Sequence, residues 1–259
     1  MTAIVVIFWV AAGLLVYAQL GYALVLAALA SVPPLRARGA SSPPGGEELP
    51  PVSVIVAAYA EEGAIAERVA NLLRLDYPRE RLEVIVACDG SPDRTADRAR
   101  GAGADRVLEL ERGGKVRAQD QAVRVSSGEI VAFSDANAAW EPDALKALVG
   151  AFADPGVGYV CGSVSFVSDR GTNQEGLYWR YEMAIRSLES RLRSVTAGNG
   201  AIYATRREAY LVVDPIMGHD LSFPFNMVKR GWRAVFAPAA RASEKMVPTI
   251  EESLRASGG

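Results

Sequence analysis

Cysteine and histidine are scarce in this sequence of 259 residues, and their scarcity excludes two kinds of site. The two cysteines, Cys88 and Cys161, are too few for a disulfide scaffold. The single histidine, His219, leaves no ligand set for a zinc cluster. Because both cysteines lie in apolar, strand-like runs, we expect buried thiols in a reducing compartment rather than a disulfide.

An excess of positive charge is also missing. The formal net charge is −2 at pH 7 and the sequence pI is about 5.7, whereas proteins that bind nucleic acids normally carry a basic surface. We therefore expect no nucleic-acid partner. No Gly-x-Gly-x-x-Gly fingerprint follows the first predicted strand, which argues against a dinucleotide-dependent oxidoreductase.

No charged side chain occurs before Arg36, and residues 4–30 are almost entirely apolar. As a helix, this run is long enough to cross a bilayer core of about 30 Å. The alternative is a cleaved signal peptide, which has a basic start and a shorter apolar run. Because Arg36 and Arg38 follow the run, the positive-inside rule predicts a single-pass protein of the inner or plasma membrane, with the rest of the chain in the cytoplasm.

Proline and glycine separate the apolar run from the rest of the chain. The pattern predicts a transmembrane helix at residues 1–32, a flexible Pro/Gly-rich linker at 33–50 and a folded domain at 51–259. Tyr17 and Tyr22 fall within the predicted span. Their hydroxyls suggest packing against another membrane helix or a tilted helix at the interface.

Apolar runs and helical periodicity alternate after residue 51. Strands are predicted at 52–58, 82–87, 106–110, 130–134 and 234–238, and helices at 61–75, 93–101, 116–126 and 175–194. The alternation in the first half predicts a parallel, doubly wound sheet with right-handed crossovers. On the helix at 175–194, Glu182/Arg186 and Glu189/Arg193 are spaced for surface ion pairs.

Two of the predicted strands end in a carboxylate, Asp89 before Gly90 and Asp135 before Asn137. Ligands of open α/β sheets bind beyond the carboxyl ends of the strands, and Gly90 lets the backbone turn sharply there. We therefore expect both carboxylates to face one crevice, where Asp135 and Asn137 suit Mg²⁺ or Mn²⁺. The alternatives are an ordinary surface turn at Asp89 and a local turn, or a cap of the helix from Pro142, at Asp135 and Asn137.

Several motifs in order resemble the inverting family-two glycosyltransferases. They are Val52 to Glu62, the Asp89 turn, Gly114-Lys115, Asp135-Ala136-Asn137, Leu177 to Glu182, Gly198-Asn199-Gly200-Ala201, His219-Asp220-Leu221 and Gly231-Trp232-Arg233. The later motifs are similar to those on the acceptor side of the membrane-bound, polysaccharide-synthase-like branch. The resemblance implies a GT-A nucleotide-diphospho-sugar transferase fold, a Rossmann-like, mixed but mostly parallel sheet flanked by helices. Within it, residues 51–140 would form the nucleotide-binding half and 141–259 the acceptor and catalytic-base half.

The resemblance implies that a sugar moves from a nucleotide-diphosphate sugar, expected to be a UDP-sugar, to a glycan or lipid-linked acceptor in polysaccharide or glycolipid synthesis. The donor-side residues would be Ala58, Tyr59, Glu61, Asp89, Lys115 and Asp135. In this scheme Asp89 accepts hydrogen bonds from the base and Tyr59 covers the base and ribose. Lys115 would approach the diphosphate, unless it is simply solvated. Glu61 would accept hydrogen bonds from sugar hydroxyls or cap the following helix.

Asp135 and Asn137 match a metal-binding motif whose second member is usually an aspartate. Since an amide oxygen is a weaker ligand than a carboxylate, we expect the divalent cation to be held mainly by Asp135 and the diphosphate. Asp220 aligns with the general base, which inversion needs because the acceptor hydroxyl loses its proton as it attacks. His219 stands where the family usually has an acid. An imidazolium there would favour the ionised carboxylate beside it, and we expect activity to fall below about pH 6.5 through His219 as well as Asp220.

On the acceptor side the resemblance implies Trp179, Gly198, Asn199 and His219, with core packing as the alternative for Trp179. Glu244 also matches a family position, without an assigned role. The branch normally continues with a Gln-x-x-Arg-Trp motif and further membrane spans, and neither occurs within residues 1–259. We therefore expect either a metal-dependent transferase making single transfers, or a truncated, catalytically inactive nucleotide-sugar-binding or scaffold protein.

Overall fold

The structure, a computed structural model, describes residues 2–32, 49–167 and 177–245. Nearly all of the predicted linker at 33–50 lies outside the described residues. The helices are α1 (Thr2–Val16), α2 (Tyr22–Ser31), α3 (Ile65–Leu73), α4 (Thr95–Gly101), α5 (Lys115–Val125), α6 (Ala144–Gly150), α7 (Leu177–Leu192) and α8 (His219–Lys229). The strands are β1 (Val52–Ala58), β2 (Leu82–Asp89), β3 (Arg106–Leu110), β4 (Ile130–Asp135), β5 (Ala138–Trp140), β6 (Val157–Val167), β7 (Tyr203–Arg206) and β8 (Arg233–Lys245).

All of these strands belong to one 8-stranded sheet in the order β3-β2-β1-β4-β7-β6-β8-β5. The first four strands are parallel, which confirms the predicted doubly wound half. Strand β7 runs antiparallel to both β4 and β6, and β5 is antiparallel to β8 at the far edge. Because β6 and β8 are parallel to each other, the whole sheet is mixed but mostly parallel.

Helices cover both faces of the parallel half, and this explains its continuous apolar strands. Successive side chains of a strand point to opposite faces. Val54 packs in the cluster that contains Val69 of α3, whereas Ile55 packs in the cluster that contains Val116 of α5. Neither face of β1 is left to solvent, so a polar and apolar alternation does not appear in its sequence.

Several elements differ from those predicted. Helix α3 begins at Ile65 rather than at residue 61, because residues 61–64 form a turn in which the Glu61 carbonyl accepts hydrogen bonds from the Ala64 and Ile65 amides. Strand β8 runs well beyond the predicted 234–238. Its extension pairs with β5, a strand of 3 residues that the sequence did not predict. So short a strand forms only where a neighbouring strand is already present.

The apolar N-terminal segment is one continuous helix, Thr2–Ser31, in which residues Tyr17–Gly21 form a π-helical turn. Its length and composition are sufficient to cross a membrane, properties that a signal sequence near an N-terminus shares. Leu26 and Ala30, in its second half, are buried, whereas the large apolar residues of its first half are exposed. The two halves of this helix therefore have different surroundings.

The second half of the N-terminal helix packs on α7 of the folded domain. The Tyr22 hydroxyl donates a hydrogen bond of 2.7 Å to Glu189 Oε1, and the Tyr181 hydroxyl donates one to the Gln19 carbonyl. Glu189 Oε2 also accepts a hydrogen bond of 3.1 Å from the Thr196 amide. Tyr22 thus contacts the folded domain, rather than another membrane helix.

The predicted surface ion pairs of this helix need correction. Glu182 and Arg186 do form a pair of 2.6 Å, but the Arg186 side chain is largely buried. Glu189 is buried too and bonds to Tyr22 and Thr196 instead of Arg193. The contact with the N-terminal helix helps to withdraw Glu189 from solvent, which the helical spacing alone does not reveal.

Candidate active site

A pocket of about 330 Å³ lies beyond the carboxyl ends of β1, β2 and β4, within the size range of small-molecule sites. It is lined by Ala57, Ala58, Tyr59, Glu61, Asp89, Arg112, Gly114, Lys115, Asp135, Ala136 and Asn137. Every residue predicted for the donor side, and both predicted metal ligands, are in this set. The expectation that the two strand-end carboxylates face one crevice is therefore confirmed.

The Asp89 carboxylate holds the loop that precedes α5. Its Oδ1 accepts a hydrogen bond of 2.7 Å from the Gly113 amide, and its Oδ2 accepts one of 2.9 Å from the Gly114 amide. The Arg112 guanidinium donates a further bond of 3.1 Å to Oδ2. These donors use most of the accepting capacity of one carboxylate. Asp89 thereby positions Lys115, and its contact with a nucleotide base stays a prediction.

Arg112 is a pocket residue that the sequence did not reveal. Its guanidinium lies over the Tyr59 ring, 3.3 Å from the ring centre, in a cation–π contact. The backbone of Arg112 passes close to Gly90, where an added Cβ would lie 2.9 Å from the Arg112 amide nitrogen. Gly90 also has a φ of 65°, which favours glycine. A single arginine in a loop carries no sequence pattern that points to this position.

Glu61 enters the pocket through a bend in the chain after β1. Ala60 has a φ of 54°, a left-handed conformation that is uncommon for a residue other than glycine. Burial raises the pKa of Glu61, and the nearby carboxylates of Asp135 and Asp93 raise it further. No side chain caps the start of α3. The helix-capping role considered for Glu61 is therefore wrong.

Asp135 lies at the centre of a charged cluster. Lys115 Nζ donates to Asp135 Oδ1 in an ion pair. Burial raises the pKa of Glu244 on β8, Asp135 raises it further, and Lys115 lowers it. A Cβ at Gly200 would lie 3.1 Å from Lys115 Nζ and 3.4 Å from Asp135 Oδ2, so the backbone of the 198–200 loop passes close to the pair. Glu244, to which the sequence assigned no role, therefore lies near the Lys115–Asp135 pair.

The fit of a divalent cation depends on what the pocket supplies. Across the described residues, no three His, Cys, Asp or Glu side chains are grouped so that they could hold a metal ion by themselves. The pocket does offer the Asp135 carboxylate and the Asn137 side chain, and burial, with the nearby Asp135 carboxylate as a second cause, raises the pKa values of Glu61 and Glu244. This donor set suits a hard cation that completes its oxygen shell with a diphosphate.

A buried arginine lies behind this cluster. Arg68 of α3 donates a hydrogen bond of 2.7 Å to Ser134 Oγ, and its guanidinium lies 5.0 Å from the Trp140 ring. Burial lowers the pKa of Arg68 to about 9, while Asp135 raises it. Arg68 thus places a positive charge behind the end of β4. Its helical spacing makes it look like an ordinary polar residue of α3.

Asp220 lies in the first turn of α8, where the 198–200 loop meets that helix. Its carbonyl accepts a hydrogen bond of 2.7 Å from the Gly198 amide. Its carboxylate lies against Gly218, where an added Cβ would overlap Oδ1. Lys115 is close enough to the adjacent His219 for its charge to lower that residue's pKa. The start of α8 and the Lys115–Asp135 pair therefore border the same region.

His219 does not have the role that we expected. Only 4% of its surface is exposed, its ring stacks on Phe223 at 4.0 Å, and Nδ1 is 2.7 Å from the Tyr203 hydroxyl. Burial lowers the pKa of His219 to about 3, and Lys115 contributes to this shift. The expectation of an imidazolium beside Asp220 near pH 6.5 is therefore wrong. His219 is part of the core behind the site rather than of an acceptor surface.

Two of the other expected acceptor-side residues have structural contacts. The Asn199 side chain donates a bond of 2.6 Å to the Gly162 carbonyl and accepts one of 2.9 Å from the Ile202 amide. Trp179 packs edge-on against Phe166 with 5.5 Å between ring centres, as its core alternative predicted. Both contacts hold the framework of the site, and their assignment to an acceptor stays a prediction.

The burial of His219 predicts a specific dependence of stability on pH. An unfolded histidine takes up a proton near pH 6.5, but folded His219 does so only near pH 3. Between these values the unfolded state binds more protons, so the free energy of unfolding should fall by about 1.4 kcal/mol for each pH unit below 6.5. Above pH 6.5 this contribution to stability is fully present.

His219→Gln is the variant that tests this dependence, because glutamine does not titrate and still offers a polar partner to Tyr203. Urea unfolding in detergent at pH 7.5 and 5.5 should show a smaller pH dependence for His219→Gln than for the wild type. Glu61 and Glu244, whose raised pKa values act in the opposite direction, are present in both proteins. An equal pH dependence in both proteins would contradict the prediction.

Gly198 and Tyr159 are predicted to be energetically coupled. A Cβ at Gly198 would overlap the Tyr159 hydroxyl, which is buried with no hydrogen-bond partner among the described residues. We expect Gly198→Ala to lower the free energy of unfolding by about 2–4 kcal/mol. Tyr159→Phe should leave stability unchanged or raise it by up to about 1 kcal/mol.

The double variant should recover part of the loss, since the ring carbon Cζ of residue 159 would still lie 2.9 Å from the added Cβ. Thermal or urea unfolding of the four proteins measures this coupling. Gly63→Ala is the control, because an added Cβ there meets no atom within 4 Å. Strictly additive effects at positions 159 and 198 would disprove the clash.

Comparison with known proteins places residues 53–212 in the sequence family described as "Glycosyl transferase family 2". An N-acetylglucosaminyltransferase of Rhizobium meliloti (strain 1021) is 30% identical to the chain and aligns with 90% of it. A beta-monoglucosyldiacylglycerol synthase of Synechocystis sp. (strain ATCC 27184 / PCC 6803 / Kazusa) is 33% identical over 75% of the chain. The chain spans only 62% of the first relative's length and 42% of the second's.

Among solved structures, a mannosyltransferase of Pyrobaculum calidifontis, PcManGT, in complex with GDP-Man and Mn²⁺, has a TM-score of 0.74 and 28% identity. The match covers 93% of this chain and 69% of that one. GalNAc-T7, solved with UDP, GalNAc and Mn²⁺, has a TM-score of 0.62 at 15% identity over 78% of this chain and 44% of that one, and so supports the fold alone. The similarity to these transferases and the mixed, mostly parallel sheet confirm the GT-A fold.

Proposed function

Because the chain belongs to glycosyl transferase family 2, we propose that it is a membrane-anchored, inverting glycosyltransferase acting on a nucleotide-diphosphate sugar. The observation that carries this proposal is the convergence of Tyr59, Asp89, Lys115 and Asp135 on one pocket. Asp220 borders the same region from α8. A membrane-tethered protein that binds the donor without turning it over is the alternative, and the presence of the three carboxylates favours the enzyme.

The donor is proposed to be a UDP-sugar, with a GDP-sugar as its competitor. A diphosphate carries negative charge, and two cationic side chains, Arg112 and Lys115, line the pocket. Tyr59 offers an aromatic face for the base and ribose, and Arg112 already lies against that face. A similar structure was solved with GDP-Man, which is why guanine nucleotides belong in the test.

Asp135 and Asn137 are the residues that would hold a divalent cation, together with the diphosphate. Such a cation would neutralise the charge of the leaving diphosphate, so that no protein acid would have to protonate it. Lys115, which pairs with Asp135, would contribute a second positive charge beside the diphosphate. Arg68, behind β4, adds a buried positive charge near Asp135, and the Asp135 carboxylate raises the pKa of Arg68.

Asp220 is the proposed general base. Inversion is a single displacement, in which the acceptor hydroxyl attacks the anomeric carbon, its proton goes to Asp220 and the bond to the diphosphate breaks. Burial lowers the pKa of His219 to about 3 and keeps its ring in the core, so Asp220 is the member of this His-Asp pair that is proposed to take the proton. Gly218 leaves room for the carboxylate at the start of α8.

The membrane is a proposed partner as well. The helix Thr2–Ser31 has the length and composition of a span, and it would place the catalytic domain on the cytoplasmic face of the inner or plasma membrane. We divide the chain into this helix (1–32), a linker (33–50) and the transferase domain (51–259). The acceptor would be a glycan or a lipid-linked molecule, and one relative is named for the synthesis of a glycolipid.

The test is donor binding and consumption by the full chain in lipid vesicles. UDP- and GDP-sugars are supplied singly, with Mn²⁺ or Mg²⁺ or with EDTA, and free nucleotide release is measured beside binding by calorimetry. We expect one donor to bind and be consumed only with a cation. Binding without any consumption would favour the inactive binder, and the absence of binding to every nucleotide sugar would refute the donor site.

A further inference from the structure

An exposed apolar surface lies next to the proposed base. Outside the N-terminal helix, the exposed large apolar side chains of the described residues are Val32, Tyr59, Val125 and six that fall between Val212 and Val228. We call this set the 212–228 surface; it consists of Val212, Ile216, Met217, Leu221, Phe225 and Val228. Ile216 is 92% exposed, Leu221 65% and Phe225 63%. Soluble proteins rarely expose so many large apolar groups in one short segment, unless the surface binds something.

Helix α8 is apolar on two sides for different reasons. Phe223 and Met227 point into the protein core, where they pack with the sheet. Leu221, Phe225 and Val228 follow a spacing of four and three residues, so they share one face of the helix, and this face is exposed. The first set packs in the core, whereas no part of the described chain buries Leu221, Phe225 and Val228.

Basic side chains border this exposed face. Lys229 and Arg230 are exposed at the end of α8, and Lys229 Nζ lies 5.3 Å from the centre of the Phe225 ring. A lysine that extends beside an apolar ring is suited to a lipid surface, where the ring enters the acyl region and the ammonium group stays among the phosphates. A dry protein–protein interface would instead disfavour lysine.

A short series of contacts connects the start of α8 with the N-terminal helix. From the Tyr22 hydroxyl, contacts lead to Glu189 at 2.7 Å and on to the Thr196 amide at 3.1 Å. Two residues along the chain, a reach of at most about 7 Å, Gly198 bonds to the Asp220 carbonyl at 2.7 Å. Asp220 and Leu221 are therefore a few contacts away from the helix that would enter the bilayer.

We propose that the 212–228 surface seats in the surface of a lipid bilayer, beside the point where the N-terminal helix enters it. If the proposed function holds, this contact has a consequence for the reaction, and that part of the inference rests on the proposed function. Asp220, at the edge of the surface, would receive its acceptor hydroxyl from a membrane lipid at headgroup depth. The bilayer is the one occupant that both the span-length helix and the basic border favour. A second copy of the chain or another protein would be a different result.

Depth in the bilayer can be measured with a probe on a single cysteine. Cys88 and Cys161 are buried, so an introduced cysteine can be labelled in the folded full chain. Phe225→Cys carries an environment-sensitive fluorophore in vesicles of phosphatidylcholine and phosphatidylglycerol, with or without brominated acyl chains. The control is Asp97→Cys on α4, whose side chain is 73% exposed and whose helix packs on β2 and β3 at the opposite end of the sheet.

We expect brominated acyl chains to quench the probe at position 225 and to leave the probe at position 97 unchanged. Equal quenching at the two positions, or none at either, overturns the proposal. A probe at position 225 that is shielded from water without any effect of bromine, and more strongly as protein concentration rises, assigns the surface to a second copy and also overturns the proposal.

An activity measurement tests the consequence. Phe225→Ser should lower transfer to a lipid acceptor in vesicles by about tenfold. The reason is that serine loses the apolar contact that the phenylalanine ring would make with the bilayer. Phe225→Leu, the matched apolar control, should stay near the wild type, and donor binding should be the same in all three proteins. Wild-type rates with Phe225→Ser would overturn the role in acceptor delivery. If the wild type binds no donor at all, the proposed function fails, whereas the quenching result still decides the bilayer contact.

Discussion

Replacement of Asp220 by asparagine is expected to lower sugar transfer by about 10²- to 10⁴-fold, the usual contribution of a general base. Asparagine has nearly the same size and can occupy the same place against Gly218 at the start of α8, but it cannot accept the proton of the acceptor hydroxyl. Donor binding should stay within about twofold of the wild type, because Asp220 is not among the residues that line the donor pocket.

The measurement is steady-state transfer with calorimetric donor binding on the same preparations. Asp97→Asn is the matched control, since it makes the same chemical change at an exposed position on α4. A loss in Asp220→Asn of less than about threefold would remove the base assignment, given the size expected for such a group. Loss of donor binding together with transfer would show that Asp220 acts on the donor pocket instead.

Asp135→Ala is the second change for which we expect a large effect, a loss of about 10²- to 10³-fold in kcat/KM. The variant removes the carboxylate at the centre of the cluster, and with it the proposed cation ligand and the partner of Lys115. The Lys115 side chain is about half exposed, so the loss of this ion pair alone should lower the free energy of unfolding by less than about 1 kcal/mol. The buried Arg68 loses a neighbouring negative charge as well, so unfolding is measured beside activity.

The Mn²⁺ concentration needed for activity shows whether these residues bind the cation or only support the structure of the site. Asp135→Asn retains an oxygen ligand and should need a higher Mn²⁺ concentration for half-maximal activity. Asn137→Asp should need a lower concentration, because a carboxylate replaces a neutral amide. If both substitutions leave the Mn²⁺ titration unchanged, the cation does not bind at Asp135 and Asn137. A wild type that is fully active in EDTA would exclude a divalent cation from the proposed reaction.

The contacts of Asp89 have a consequence for donor binding. A nucleotide base can bond to this carboxylate only if Arg112 or a loop amide releases it. Arg112 is the more mobile of these groups, because it is an exposed side chain rather than backbone. The stacking of Arg112 on Tyr59 also covers the ring that was expected to contact the base and ribose. Donor binding is therefore expected to displace Arg112 from both partners.

The pattern of residues along the chain was enough to predict the parallel half of the sheet and the crevice in which Asp89 and Asp135 meet. Strands buried on both faces appear as continuous apolar runs, and the carboxyl ends of neighbouring parallel strands meet at one edge of a sheet. Asp89 and Asp135 were therefore bound to come together once β1, β2 and β4 paired in the order observed. Local geometry and strand order suffice for that conclusion, and no detail of side-chain packing enters it.

Only the tertiary structure decided how the remaining residues act. Arg68, Arg112 and Glu244 reach the site from α3, from a loop and from the distant strand β8, and their sequence neighbours do not indicate that approach. His219 is the first residue of α8, and its motif led us to expect an acceptor-side residue. Aromatic packing instead buries its ring and keeps it neutral. Tyr22 and Glu189 lie 167 positions apart and still share a hydrogen bond. Burial and long-range pairing depend on how helices and strands pack together, and this packing is not encoded in any one stretch of the chain.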